Sequence, residues 1–130
     1  MLCAVLMLET SGGRNVYGHD PTIFIGAGQV TEANYGAYKA VREQTGECQG
    51  VGPAQLTSAS LQDEADQVGG CWQPEHNIAV AAHYLKQLLT LHADSVQAAC
   101  AAYNGTGPAA ERYGLRAVAL VAHFRSLGIT

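Results

Sequence analysis

The residues with the clearest chemical potential are Glu9 and its neighbours, in the run Leu6-Met7-Leu8-Glu9-Thr10-Ser11-Gly12-Gly13. Leu2, Cys3, Val5, Leu6 and Leu8 carry enough apolar surface to bury a helix on nearly all sides, and the two glycines supply its C-terminal stop. Glu9 then falls in the last turn. Burial and the partial negative charge of a helix C-terminus both disfavour an ionised carboxylate there. A carboxyl that keeps its proton near neutral pH is a general acid. Taken alone, Glu9 fits better as a plain helix end that faces water or pairs with Arg14, so the rest of the chain has to decide its purpose.

Three later segments supply partners. Gly50-Val51-Gly52-Pro53-Ala54-Gln55-Leu56-Thr57 combines two glycines and a proline, a turn that delivers a short extended piece. Its Gln55 can donate to and accept from an acetamido or hydroxyl group, or serve simply as a polar turn residue. Asn77-Ile78 opens a long helix, and Ala102-Tyr103-Asn104-Gly105 closes another. The Tyr103 hydroxyl can reach Glu9 or a sugar, or the ring can be core packing. Asn104 can bind sugar or terminate its helix before Gly105. Asp20, the sole aspartate between Glu9 and Gly52, can assist catalysis or start an Asp-Pro turn with Pro21. Glu32, Glu43 and Glu47 are weaker substitutes for it, and Tyr113 is a weaker groove candidate.

The elements that must position these residues are almost all helical. Arg14 to Val30 reads as an irregular or hairpin segment, with Thr22-Ile23-Phe24-Ile25 as its strand-like run. Thr31 is a helix N-cap with Glu32 in the first turn, and that helix passes Tyr35, Tyr38 and Val41 before Gly46 ends it. A short helix starts at Ser58 or Ser60 and reaches Val68. Pro74 suits the first turn of a helix over Glu75–His92 that aligns Ile78, Ala81, Leu85, Leu88 and Leu89. Asp94 caps an alanine-rich helix, Ser95–Tyr103. A short helix to Tyr113 and a separate amphipathic one, Arg116–Leu127, complete a mainly α domain with a short β-hairpin or irregular insertion.

A length of 130 residues bounds this to one domain over 1–130, and the abrupt start also fits excision from a longer chain. The net charge of −4, with few charged residues overall, offers neither a basic groove for nucleic acid nor a polybasic patch for anionic lipid. Met1 to Leu8 lacks the positive start and cleavage site of a signal peptide and is too short to span a bilayer, so synthesis in the cytoplasm without a membrane anchor is expected. Cys3 and Cys100 lie on apolar helix patterns and should be buried thiols. Cys48 and Cys71 lie in loops where a bridge can form, although a cytoplasmic protein usually keeps its thiols reduced. His19, Asp20, His76, His83, Cys48 and Cys71 are metal-ligand types, but their spacings fit no zinc pattern, so no metal or other cofactor is expected. A nucleophilic Cys71 has no oriented partner that the sequence can name.

In order, Glu9-Thr10, Gly52-Pro53-Ala54-Gln55-Leu56, Asn77-Ile78 and Ala102-Tyr103-Asn104 resemble the lysozyme-like superfamily. The resemblance is to the branch joining soluble lytic transglycosylases and goose-type lysozymes, whose pattern is Glu-Ser, Gly-Leu-Met-Gln-Ile, Asn-Ile and Ala-Tyr-Asn, and it covers nearly the whole chain. The stretch Glu9 to Asp20 is also similar to the glycan-cleaving domain of endolysins from phages of actinobacteria. Thr10 replaces the usual Ser, and Pro53-Ala54 replace Leu-Met. The 42 residues between Glu9 and Gly52 exceed the spacing of a minimal transglycosylase.

The resemblance implies cleavage of peptidoglycan at the β-1,4 bond between N-acetylmuramic acid and N-acetylglucosamine. Glu9 would act as acid and base, and Asp20 would position a hydrolytic water. Ser11, Gln55, Tyr103 and Asn104 would bind substrate. The expected partner is the glycan strand, with no nucleic acid, membrane or cofactor, and the expected state is a monomer. A phage lysin of this kind is made in the host cytoplasm and acts at the bacterial cell wall after release. The competing class is a non-catalytic peptidoglycan-binding or wall-structural module, which Glu9→Gln would leave functionally unchanged.

Overall fold

A computed structural model describes residues 1–18 and 28–129. Among them run α1 (Leu2–Thr10), α2 (Glu32–Thr45), α3 (Ala59–Gln67), α4 (Pro74–Leu91), α5 (Val96–Asn104) and α6 (Gly107–Ser126). The chain is mainly α, as its patterning predicts. The β content among the described residues consists of isolated bridges, Val16 to Gln29, Tyr17 to Val51 and Val51 to Leu56. The Thr22–Ile25 run expected to be a strand lies outside the described residues, as does Asp20.

Capping chemistry sets most of the helix boundaries. The Thr31 hydroxyl accepts from the Asn34 N–H while the Asn34 side chain accepts from the Thr31 N–H, a reciprocal box that opens α2. Gly46, left-handed at φ 74°, closes it. Ser58 and Ser95 accept from Leu61 and Ala98 at the starts of α3 and α5. Ser95, not Asp94, is therefore the cap of α5; Asp94 is the preceding turn residue, at φ 63°. The expected break at Tyr113 is also absent, and α6 is one continuous helix. Gly114 explains this. A Cβ at that position would overlap the Gln97 carbonyl oxygen and crowd Ala101, so the glycine is spent on close approach of α5 and α6 rather than on ending a helix.

The chain divides into two units, Glu9–Ala81 and a second made of Met1–Leu8 with Ala82–Thr130. The second unit is held by apolar packing. Ala4, Val5, Leu85, Cys100, Tyr113, Ala117 and Val121 form its core, with Leu8, Tyr103 and Phe124 packed against it. Ala110, Tyr113, Gly114, Ala117 and Val121 supply the buried face of α6 at helical spacing. Each fully buried Val or Leu in such a core contributes about 1.5–3 kcal/mol. α1 is less enclosed than its composition predicts, since Cys3 and Met7 are exposed. An unbroken apolar run has no periodicity from which to read the face that is left outside.

The Glu9–Ala81 unit is built differently. Tyr17, Tyr35, Tyr38 and Trp72 form a ring cluster with centroids 5.8–5.9 Å apart. Beside it lies Gln62, fully buried. Its amide donates to the carbonyls of Gln49 (2.9 Å) and Leu56 (2.8 Å) and accepts from the Tyr38 hydroxyl (3.1 Å) and Arg42 (2.9 Å). Arg42 also pairs with Asp63. Asp66 gathers the Tyr35 hydroxyl, the Lys39 ammonium and the Cys71 N–H. All four cysteines are free thiols, so no Cys48–Cys71 bridge forms. Cys71 and Cys100 are buried, Cys48 is half-buried and Cys3 is exposed, against expectation.

Candidate active site

α1 ends at Thr10, which puts Glu9 in the penultimate position, half-buried rather than enclosed. Ser11 turns the chain at φ 55° and is exposed. The Arg14 guanidinium donates to the Thr10 carbonyl at 3.0 Å, a cation placed on the negative end of the helix. The Thr10 hydroxyl donates to the Pro53 carbonyl at 2.8 Å and accepts from the Gly13 N–H at 3.1 Å. The residue next to Glu9 is thus tied directly to the glycine-proline turn, 43 positions away in sequence.

That turn is fixed from several sides. Val51 and Leu56 exchange backbone hydrogen bonds of 3.1 and 3.0 Å, pinching off Gly52–Gln55. Asn77, fully buried, donates from Nδ2 to the Val51 carbonyl (2.9 Å) and accepts at Oδ1 from the Ala54 N–H (3.0 Å). Gly52 sits at φ 77° where a Cβ would overlap the Asn77 amide, so only glycine serves both needs. The Gly52 N–H donates to Val16 and the Gly18 N–H donates to Gly50, stitching the segment after α1 to the same turn. The Gln55 Nε2 donates to the carbonyls of Val16 (2.8 Å) and Gly52 (2.9 Å). Its Oε1 lies beside Gly18 and Gly50, in space that a side chain on either would fill.

Of the residues singled out from sequence, Glu9, Ser11 and Gln55 share the Glu9–Ala81 unit. Both amide hydrogens of Gln55 are engaged by backbone, which leaves Oε1 as its acceptor for a ligand. Tyr103 and Asn104 belong to the other unit. There Tyr103 is half-buried with its ring 5.7 Å from that of Tyr84, and Asn104 is the exposed last residue of α5. Tyr113 is core packing. Glu32, Glu43 and Glu47 are exposed. Two residues were not among the sequence candidates although they hold the geometry, Thr10 and Asn77. For Asn77 a signal existed: with Val80 and Ala81 it makes an i, i+3, i+4 set on the buried face of α4, so a polar side chain there had to be satisfied inside.

The interior of this unit favours protonated groups. Burial pushes the phenols of Tyr17, Tyr35 and Tyr38 above the usual range. It also pushes the Cys71 thiol up to about 11, which removes it as a nucleophile at neutral pH. Among the described residues no group of three or more His, Cys, Asp or Glu is placed to hold a metal ion.

A mainly helical chain, with its first helix tied through Thr10 to a glycine-proline turn braced by a buried asparagine, fits a lysozyme-like domain. The family model of the transglycosylase SLT domain matches residues 26–119, and the chain belongs to that family. At this level the protein is a peptidoglycan-cleaving glycosidase of lytic transglycosylase or lysozyme-like type. The match includes Gln55, Asn77, Tyr103 and Asn104 and begins after Glu9. No curated protein and no solved structure matches the chain.

Proposed function

We propose that this chain cleaves the β-1,4 bond between N-acetylmuramic acid and N-acetylglucosamine with Glu9 as the proton donor, as the glycan-cleaving domain of a phage endolysin. One observation carries the catalytic assignment: the Thr10 hydroxyl couples the end of α1 to the Gly52–Gln55 turn, which Asn77 in turn secures. Three of the four segments that resemble the family therefore meet in a single hydrogen-bonded arrangement, with Glu9 at its edge. The phage assignment rests on the resemblance of Glu9–Asp20 to actinobacteriophage lysins. It carries with it synthesis in the host cytoplasm and action at the cell wall.

In this reading Glu9 protonates the glycosidic oxygen as the bond to C1 of the muramic acid breaks. The substrate's own 2-acetamido group stabilises the resulting cation. The ionised Glu9 then takes a proton either from water, giving a new reducing end, or from the sugar's 6-hydroxyl, giving a 1,6-anhydro product. Excluding water from the site favours the intramolecular route. Asp20 is assigned to the hydrolytic branch, where it would hold the attacking water. Ser11, Gln55 Oε1, Tyr103 and Asn104 are the substrate-binding candidates.

A non-catalytic glycan-binding module is the second reading, favoured by a family match that starts beyond Glu9. Digestion of purified peptidoglycan by wild type and Glu9→Gln, with mass spectrometry of the released fragments, separates the two. Products lighter by one water define a transglycosylase and remove Asp20 from the catalytic set. New muramic acid reducing ends define a hydrolase and make Asp20→Asn the next variant. Intact glycan with both proteins would overturn the glycosidase reading.

A further inference from the structure

The outward face of α6 does not look like an ordinary solvated helix surface. Leu115, Val118, Ala119 and Ala122 follow i, i+3, i+4, i+7 spacing, and all four are exposed, Leu115 at 56%. They lie on the side away from Ala110, Tyr113, Ala117 and Val121, so the helix has a second apolar stripe that none of the described residues covers. Leu127 and Ile129, just past its end, are exposed as well. Arg112, Arg116 and His123 run along one edge of the stripe and Arg125 along the other, all exposed.

Charge sets this helix apart from the rest of the molecule. α6 holds three of the chain's seven Lys and Arg residues and Glu111 as its only acidic one, in a protein with eleven acidic residues and a net charge of −4. The whole-chain charge therefore conceals a locally cationic surface, which is why the composition argued against one. We propose that the exposed face of α6 docks on an anionic phospholipid surface, lying in the plane of the bilayer with the Leu115–Ala122 stripe inserted and the arginines at the headgroups. No helix among the described residues is long and apolar enough to cross a membrane, so the contact is interfacial. A phosphate-rich wall polymer shares the negative charge but gives no reward to exposed leucine and valine; the apolar stripe selects lipid.

The test is co-sedimentation of the whole chain with vesicles of equal parts phosphatidylglycerol and phosphatidylcholine, and with phosphatidylcholine alone. Binding to the anionic vesicles only, weakened by salt, is expected. Arg112→Gln with Arg116→Gln should weaken partitioning about thirtyfold. Leu115→Ser with Val118→Ser should weaken it about tenfold. All four positions are exposed, and circular dichroism confirms that the variants remain folded. Absence of binding to anionic vesicles overturns the proposal. Binding that needs the arginines but ignores the Leu115 and Val118 changes also overturns it and assigns the face to a hydrated polyanion. Sedimentation as a dimer that the same serine changes abolish assigns it to a second copy of the chain.

Discussion

The two units of this protein solve the same problem by different means. In the unit made of Met1–Leu8 and Ala82–Thr130, α5 and α6 are brought together by small residues and aliphatic packing. In the Glu9–Ala81 unit, buried Gln62, Asn77 and Arg42 are bonded to backbone and side chains around an aromatic cluster. Apolar packing is non-directional and tolerates small shifts, whereas a buried amide with both ends engaged permits one arrangement. The polar interior is found where a helix end and a turn must keep fixed positions. Stability resides in both units, but positional precision resides in one.

Glu9→Gln should sharpen this contrast most, cutting glycan cleavage about a hundredfold to ten-thousandfold with an unchanged melting temperature. Next, Asn77→Ala removes the bond that the Ala54 N–H donates and one of the two that the Val51 carbonyl accepts, the Leu56 N–H keeping the other. A loss of about 1–3 kcal/mol in denaturant unfolding, together with impaired cleavage, is expected. Retained activity in that variant would break the link between the polar interior and the site. Gly114→Ala is the matching experiment in the packed unit. The new methyl meets the Gln97 carbonyl and should cost about 1–3 kcal/mol in thermal unfolding while the folded fraction keeps its specific activity. Thr10→Val removes the bond to Pro53 for about 1 kcal/mol, and kcat should fall with KM little changed; Thr10→Ser should restore both.

The smallest effect is set by pH. Burial raises the Cys71 thiol from its ordinary 9 to about 11, and raises the phenols of Tyr17, Tyr35 and Tyr38 in the same unit. Between those values the unfolded chain has released a proton that the folded one retains, so stability is full below about pH 9 and declines as pH climbs towards 11. Amide protection factors at Gly50–Leu56, which remove the intrinsic rise of exchange with pH, should fall across that window. Constant protection there would show that the ionisations do not reach the turn.

The sequence made some of this legible and hid the rest for identifiable reasons. Thr31, Gly46 and Pro74 announced helix ends because capping and the fixed φ of proline are local effects. Glu9 and the Gly52–Gln55 turn stood out because their types are unusual at such places. The break expected after Tyr113 failed at Gly114, since a glycine that admits a neighbouring helix looks the same in sequence as one that ends its own. Gln55 was read by its capacity for hydrogen bonding, but whether an amide faces substrate or its own backbone depends on contacts with Val16, far away in the chain. Gln62 gave no signal at all. Its partners come from α2, the loop before the turn and Leu56, and no window of sequence contains them. The exposed stripe of α6 was absorbed into a single amphipathic pattern, because helical periodicity reveals that a face is apolar and not whether anything covers it.

The path of the chain through the two units bears on how the protein is made. Residues 9–81 are contiguous, so everything the Glu9–Ala81 unit needs is synthesised before α5 and α6. The other unit begins with the first eight residues and is finished only by the last fifty or so. Its opening segment, with Ala4 and Val5 destined for a core whose other members do not yet exist, must wait uncovered until Val121 emerges. Met1–Leu8 is therefore among the last segments of its unit to be fully packed, although it is made well before the residues that cover it.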